Sequence, residues 1–422
     1  MNMVASTDIK FFVHSNNNAP QLQNAYGSMI GVLDACLVNG ISLGLVSTLT
    51  AVGTTVTAVF SNAHNLMQYQ VLKITGANQA EYNGEHRILT VPNATSVTFQ
   101  LANIPSVTTA TGTITSSLPS LGWEKPFSST NVNGGGKAAY RSKNTLLPSR
   151  PFLRVVDELD PAYTATYAKY AKVGIVEDMT DIDTMLGVQA PYDSSAPTKN
   201  WVGTGSGATA INGWAKWYYA AGATAITGSP DSTAPAAGNR SWLLVGSKDV
   251  FYIFPTMTNA DSNSLAYGFG VFESLLNVDS ANTFLSSTLS YASANSASPK
   301  GVITALTSTS ISSSILFHRK YTNESISNNG IVMALGASSS INSGASNYVA
   351  AVSITNTILQ SPVFFSELSN VIRGEVPYLN FLYQIKPYAN MQLYEKSGQL
   401  FIAKDVATGN TAGQIAIKVG DL

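Results

Sequence analysis

A chain of 422 residues with only 11% charged side chains and a formal net charge of −1 carries no electrostatic footprint for nucleic acid and no basic or acidic tail. Its one cysteine, Cys36, excludes an intrachain disulfide and a cysteine-built zinc site. Ser, Thr, Asn, Ala and Gly replace the missing charge, a mixture that disfavours long wet-faced helices and suits β-sheets with hydroxyl-rich outer faces.

Length alone suggests two or three domains. Residues 1–44 predict a short strand ("IKFFVH"), an Asn-rich loop and a helix. Met29, Leu33, Cys36 and Leu37 share one helical face, Asn24 is the candidate N-cap, and Asn39-Gly40 ends the helix. The window 29–47 is apolar, but Asp34 and Asn39-Gly40 interrupt it and no basic flank anchors it, so no membrane insertion is expected. No basic region followed by an apolar one opens the chain, so a signal peptide is not expected.

From Thr54 the period becomes two. Val56, Ala58 and Phe60 fall on one face, then Leu72 and Ile74, then Val97, Phe99 and Leu101, with turn-forming clusters between them. Five or so strands in this span are enough for a small barrel or sandwich, so residues 45–118 read as a domain. Beyond it, "RPFLRVVDE" and "AKVGIVEDMTDIDTM" read as strand pieces. Residues 241–257 form a hairpin around "GSKD", "YGFGVFES" adds a strand, and the segments from Ile372 onward close the chain as strands and turns. The Ser-rich stretches 278–315 and 336–348 read as long surface loops. The expected fold is mainly β: a sandwich or barrel-like body, split between 1–44 and 119–422, with a short N-terminal helix and an inserted small β-barrel.

Motifs with chemistry are weak. His14, His64, His86 and His318 have no ligand spacing and read as loop or sheet-surface residues. Glu177, Asp178, Asp181 and Asp183 form the densest acidic cluster. Calcium binding or paired-carboxylate glycosidase chemistry is conceivable there, but a solvated loop, or partners for Arg150 and Arg154, fits the spacing better. "GTGSGA" at 203–208 lacks the preceding buried strand of a dinucleotide site, and "NGGGK" at 133–137 lacks P-loop spacing. No catalytic residue, metal site or cofactor is expected. Trp201, Trp214, Trp217, Tyr218 and Tyr219 are weighed as core or subunit interface, against a sugar-stacking platform for host-surface glycan.

Several segments resemble one family of structural proteins of tailed-bacteriophage virions. Residues 55–114, with "ITGA", "EYNGEHRI", "TVPNATSVTF" and "ATGTI", resemble a small β-barrel module of phage tail, baseplate and fibre proteins. "FFVHSNNNAPQLQNAYGSMIGVLDACLVNG", "LGWEKPFSSTN", "RPFLRV", "YAKVGIVEDMTDIDT" and "SPVFFSEL…VIRGEVPYL" resemble signatures of the same family. The resemblance implies a non-enzymatic virion component of tail, baseplate or neck, made in the host cytoplasm. Its partners would be other virion proteins and copies of itself. An exposed decoration or receptor-binding protein, and less so a tailspike-like glycosidase, are the alternatives. The resemblance transfers no catalytic residue.

Overall fold

The structure, a computed structural model, describes residues 4–206, 213–222, 224, 234–288, 304–307, 316–319, 328–333, 358–367, 371–384, 386–407 and 412–422. Their strands pair antiparallel throughout, in three sheets that follow one another along the chain with one exception. The exception is β1 (Lys10–Val13), which joins the last sheet.

Helix α1 (Ser28–Leu33) continues as a wider π-helical turn over Asp34–Asn39. It buries Met29, Leu33, Cys36 and Leu37, the face that the spacing predicts, and Val32 as well. Gly40, at φ 78°, terminates it as expected. Asn24 does not cap it. The amide of Asn24 donates instead to the Pro235 carbonyl (3.2 Å), and the helix start takes its acceptor from a carboxylate far away in sequence.

Seven strands then curl into a half-barrel. They are β2 (Ile41–Val52), β3 (Thr55–Phe60), β4 (Val71–Ala77), β5 (Gly84–Arg87), β6 (Thr90–Asn93), β7 (Ser96–Gln100) and β8 (Gly112–Leu118), in the order β5-β4-β8-β2-β3-β7-β6. Strand β2 is long and bulged at Ser42/Gly44 and Val46/Thr48, which lets its first half pair with β8 and its second with β3. Val56, Ala58, Phe60, Leu72, Ile74, Val97, Phe99 and Leu101 all face the interior, as the alternation predicts. Outside, hydroxyls pair across strands: Ser47 with Ser61 (2.7 Å), Thr75 with Thr115 (2.8 Å) and Thr90 with Thr98 (2.6 Å).

The second sheet holds β9 (Trp123–Thr130), β10 (Gly135–Ser142), β11 (Phe152–Glu158), β12 (Lys169–Met179), β13 (Met185–Ala190) and β14 (Lys216–Ala220). Both β13 and β14 pair with β12, one beyond the other.

The third sheet takes β15 (Trp242–Gly246), β16 (Val250–Pro255), β17 (Tyr267–Val271), β18 (Glu273–Ser274), β19 (Thr283–Ser286), β20 (Leu316–His318), β21 (Asn328–Met333), β22 (Gln360–Glu367), β23 (Val371–Leu382), β24 (Leu393–Lys396), β25 (Gln399–Ala407) and β26 (Ala412–Asp421). It folds back on itself. Ser264 bonds with both Asp405 and Ala407 of β25, and Val245, Tyr252 and Phe254 share a core with Ile402, Ile415 and Ile417. One expectation fails here. Thr283–Ser286, inside the stretch 278–315 read as surface loop, is a strand of this sheet, with Phe284 and Leu285 wholly buried. Residues 336–348, the other expected loop, lie outside the described residues.

The half-barrel is mounted on the body through adjacent strands. Ile41 pairs with Leu118, and the Leu121 amide donates to the Cys36 carbonyl (2.9 Å), so the chain leaves beside the point where it arrives. Its first strand begins at Ile41 rather than at 45. One apolar core runs without a break from α1 through the half-barrel into the second sheet.

Candidate functional site

The five aromatics weighed as a patch lie in the interior. Trp217, Tyr218 and Tyr219 belong to β14, which forms the seam between the second and third sheets. Trp217 stacks on Tyr267 (centroids 5.5 Å, 13°), and its indole donates to the Ser286 carbonyl (2.8 Å). The Tyr218 amide donates to the Tyr267 hydroxyl (2.7 Å). The Arg154 guanidinium lies 4.6 Å over Trp201, whose indole donates to Gln189 (3.1 Å). The Lys199 ammonium lies 4.6 Å over Trp214. None of the five is more than 5% exposed, so no sugar-stacking platform is presented by them. Three lysines, Lys169, Lys172 and Lys216, are buried with them.

The acids at 177–183 do not converge. Asp183 accepts from Lys137 (2.8 Å) and Arg154 (2.7 Å). Asp181 accepts the amides of Asp183 and Thr184, closing its own turn. Asp178 accepts the Met179 amide, and Glu177 pairs with Arg319. Arg154 finds the partner expected for it. Arg150 does not: it donates to the Ser142 carbonyl (3.2 Å). Among the described residues no three His, Cys, Asp or Glu side chains are grouped to hold a metal ion. Of the histidines, read from sequence as loop or sheet-surface residues, His14 and His64 lie in loops, His64 being buried there, whereas His86 and His318 are buried on strands; His86 stacks on Phe99 (4.3 Å) and bonds the Tyr82 carbonyl.

Gly203 of "GTGSGA" packs against a buried ion pair. Lys172 donates to Asp160 (2.5 Å), which also takes the Gly203 amide (2.8 Å), and a Cβ on Gly203 would lie 2.2 Å from the carboxylate. Residues 207 and 208 of that motif lie outside the described residues. The "NGGGK" glycines also have a structural reason. Gly135 sits at φ 75°, and a Cβ there would lie 1.9 Å from the Asp157 carbonyl and 3.0 Å from Gly27.

Three buried polar nodes, none read from sequence, join elements distant in the chain. At the first, Asp157 of β11 accepts the amides of Met29 (3.0 Å) and Ile30 (3.3 Å) on one oxygen and the Tyr219 hydroxyl (2.5 Å) on the other. It thus supplies the cap that Asn24 does not. Burial pushes its carboxyl up to about 6, against the pull of the Tyr219 hydroxyl and of the amides at the helix start.

The second node fixes the half-barrel. Arg87, only 2% exposed, donates to the carbonyls of Ser6 (2.6 Å), Tyr69 (2.7 Å), Val419 (2.9 Å) and Ile9 (3.0 Å). Burial brings its guanidinium down to about 10, so it stays cationic at neutral pH. Beside it, Asn16 and Gln70 exchange side-chain bonds (2.9 and 3.0 Å), and Lys10 meets Glu85 (2.9 Å).

The third node is in the last sheet. Arg373 binds Asp279 through two nitrogens (2.9 and 2.8 Å) and Glu367 through the third (2.7 Å), and it donates to the Arg319 carbonyl. The Asp279 carboxyl is held below its usual range: the Arg373 bonds and the Ala281 amide outweigh burial, which acts in the opposite direction.

These arrangements lock elements together. Comparison with known proteins gave no match: neither a family model nor a curated relative aligns with the chain. No helix among the described residues is long and apolar enough to cross a membrane.

Proposed function

We propose that the chain is a non-enzymatic structural component of a tailed-phage particle, of its tail, baseplate or neck, working through contacts between subunits in the virion. The mounting of the half-barrel is the observation that carries this reading. Residues 55–114, the stretch that resembles a phage tail module, lie within that half-barrel. Its root is held by paired neighbouring strands and by Arg87. Its outer side offers Ser and Thr hydroxyls, and Leu45, Val52 and Ile104 stand exposed on it. A rigidly held module with a sparsely charged, partly apolar exterior suits burial against neighbouring subunits. The glycan-binding alternative drew on rings that are interior, and no observation favours it.

Co-sedimentation tests the proposal. Phage particles made from the genome that encodes this chain, banded on a density gradient, should contain it in a fixed ratio to the other particle proteins. Recovery only in the soluble fraction would defeat the reading.

A further inference from the structure

A surface beside β18 combines apolar side chains with unpaired charges of both signs. Leu275 (64% exposed), Val278 (86%), Leu276 and Ile372 are open to solvent. The amide of Leu275 donates to the Arg373 carbonyl (2.8 Å), which holds this segment against β23. Next to it Glu273 and Glu375 stand directly opposite on paired strands. Like charges in that position repel, and neither has a cation within ion-pair distance among the described residues. The Glu375 carboxyl is raised by burial and by the charge of Glu273.

A basic flank lies across a crevice from it. The loop 143–150 exposes Leu146 (88%) between Lys143 and Arg150, and neither cation meets a carboxylate among the described residues. A crevice joins the two flanks: Leu147 and Arg150 line it together with Val271, two residues before Glu273. Asp249 lies in that crevice, takes the Asn144 amide (2.9 Å), and accepts the Val271 amide on its carbonyl (3.1 Å).

In a chain with so few charges, acids and bases that lack ion-pair partners among the described residues, set on two sides of one crevice with exposed leucines beside them, form a self-complementary surface. We infer that this face docks on the same face of a second copy about a two-fold axis. Lys143 and Arg150 of each copy then meet Glu273 and Glu375 of the other, and the leucines and Val278 are covered at the centre. The inference deepens the assembly reading by assigning a surface for self-contact, and its test does not depend on the particle.

Sedimentation velocity across micromolar concentrations should show the wild-type mass doubling. Glu273→Lys with Glu375→Lys, or Lys143→Glu with Arg150→Glu, should each weaken self-association at least roughly tenfold, with unchanged circular dichroism. An equimolar mixture of the two double variants should restore the dimer, because every contact then joins opposite charges. Wild-type protein that stays monomeric, a dimer indifferent to both reversals, or a mixture that fails to re-form it would overturn the inference. A dimer from a chain never found in particles would defeat the virion reading and leave this one standing.

Discussion

The hydroxyl of Tyr219 reaches the carboxylate of Asp157 at 2.5 Å, inside a core where neither side chain touches water. Asp157 is also the N-terminal acceptor of α1, so one carboxylate ties together the helix, β11 and β14. Its burial has a consequence for stability. The folded chain holds the Asp157 proton up to about pH 6, whereas a free aspartate releases it near 3.8. The neutral acid therefore favours folding fully below about 4, and that contribution is lost as pH rises through 6.

Asp157→Asn keeps the shape and removes the titration. Relative to wild type, the variant should gain stability between pH 4.5 and 7.5, by up to about 3 kcal/mol. Urea unfolding of both proteins across that range checks it; a difference independent of pH would count against the buried-acid account. Comparing the two proteins cancels His14, His64 and His86. Burial lowers each of these, so they add stability above their free value and lose it on acidification.

Gly135→Ala places a methyl group against the Asp157 carbonyl at a backbone angle that side chains avoid. It should cost about 2 kcal/mol or more. Gly31→Ala meets nothing within 4 Å on the helix and should stabilise by up to about 1 kcal/mol. Denaturation midpoints measured side by side test the opposite signs.

Arg87→Lys retains the charge but cannot serve four carbonyls on separate segments. A loss of about 3 kcal/mol is expected, together with faster proteolysis between half-barrel and body. Unchanged stability would mean that the guanidinium is not what fixes the module.

Asp279→Ala leaves Arg373 in the interior with half its carboxylate partners. The expected cost is about 3–5 kcal/mol, and Arg373→Met added to it should restore part of the loss. Thermal unfolding of the single and double variants checks both statements.

Sequence patterning revealed strands where one face is wet and the other dry. Val56, Ala58 and Phe60 alternate with threonines and valine because the half-barrel has a solvated side. Continuous burial made β11 and β16 legible as apolar runs. Strand β2 was missed because its two bulges break the period of two, and β19 because only Phe284 and Leu285 stand between hydroxyl residues. The nodes could not be read because their bonds span great separations along the chain: Asp157 caps a helix 128 positions away. The aromatics at 214–219, weighed as core or subunit interface against a sugar-stacking platform, are buried together with Lys216, whose ammonium lies 4.5 Å over the Tyr170 ring.

The central claim, membership of a particle, is tested most directly by locating the chain there. Val132 projects from the β9–β10 turn at 99% exposure, while the one natural thiol, Cys36, is wholly buried. Phage assembled with Val132→Cys and labelled with a thiol-reactive gold cluster should show gold at fixed, repeated positions on the tail, baseplate or neck. Particles that carry no label while the soluble protein labels fully would contradict the account.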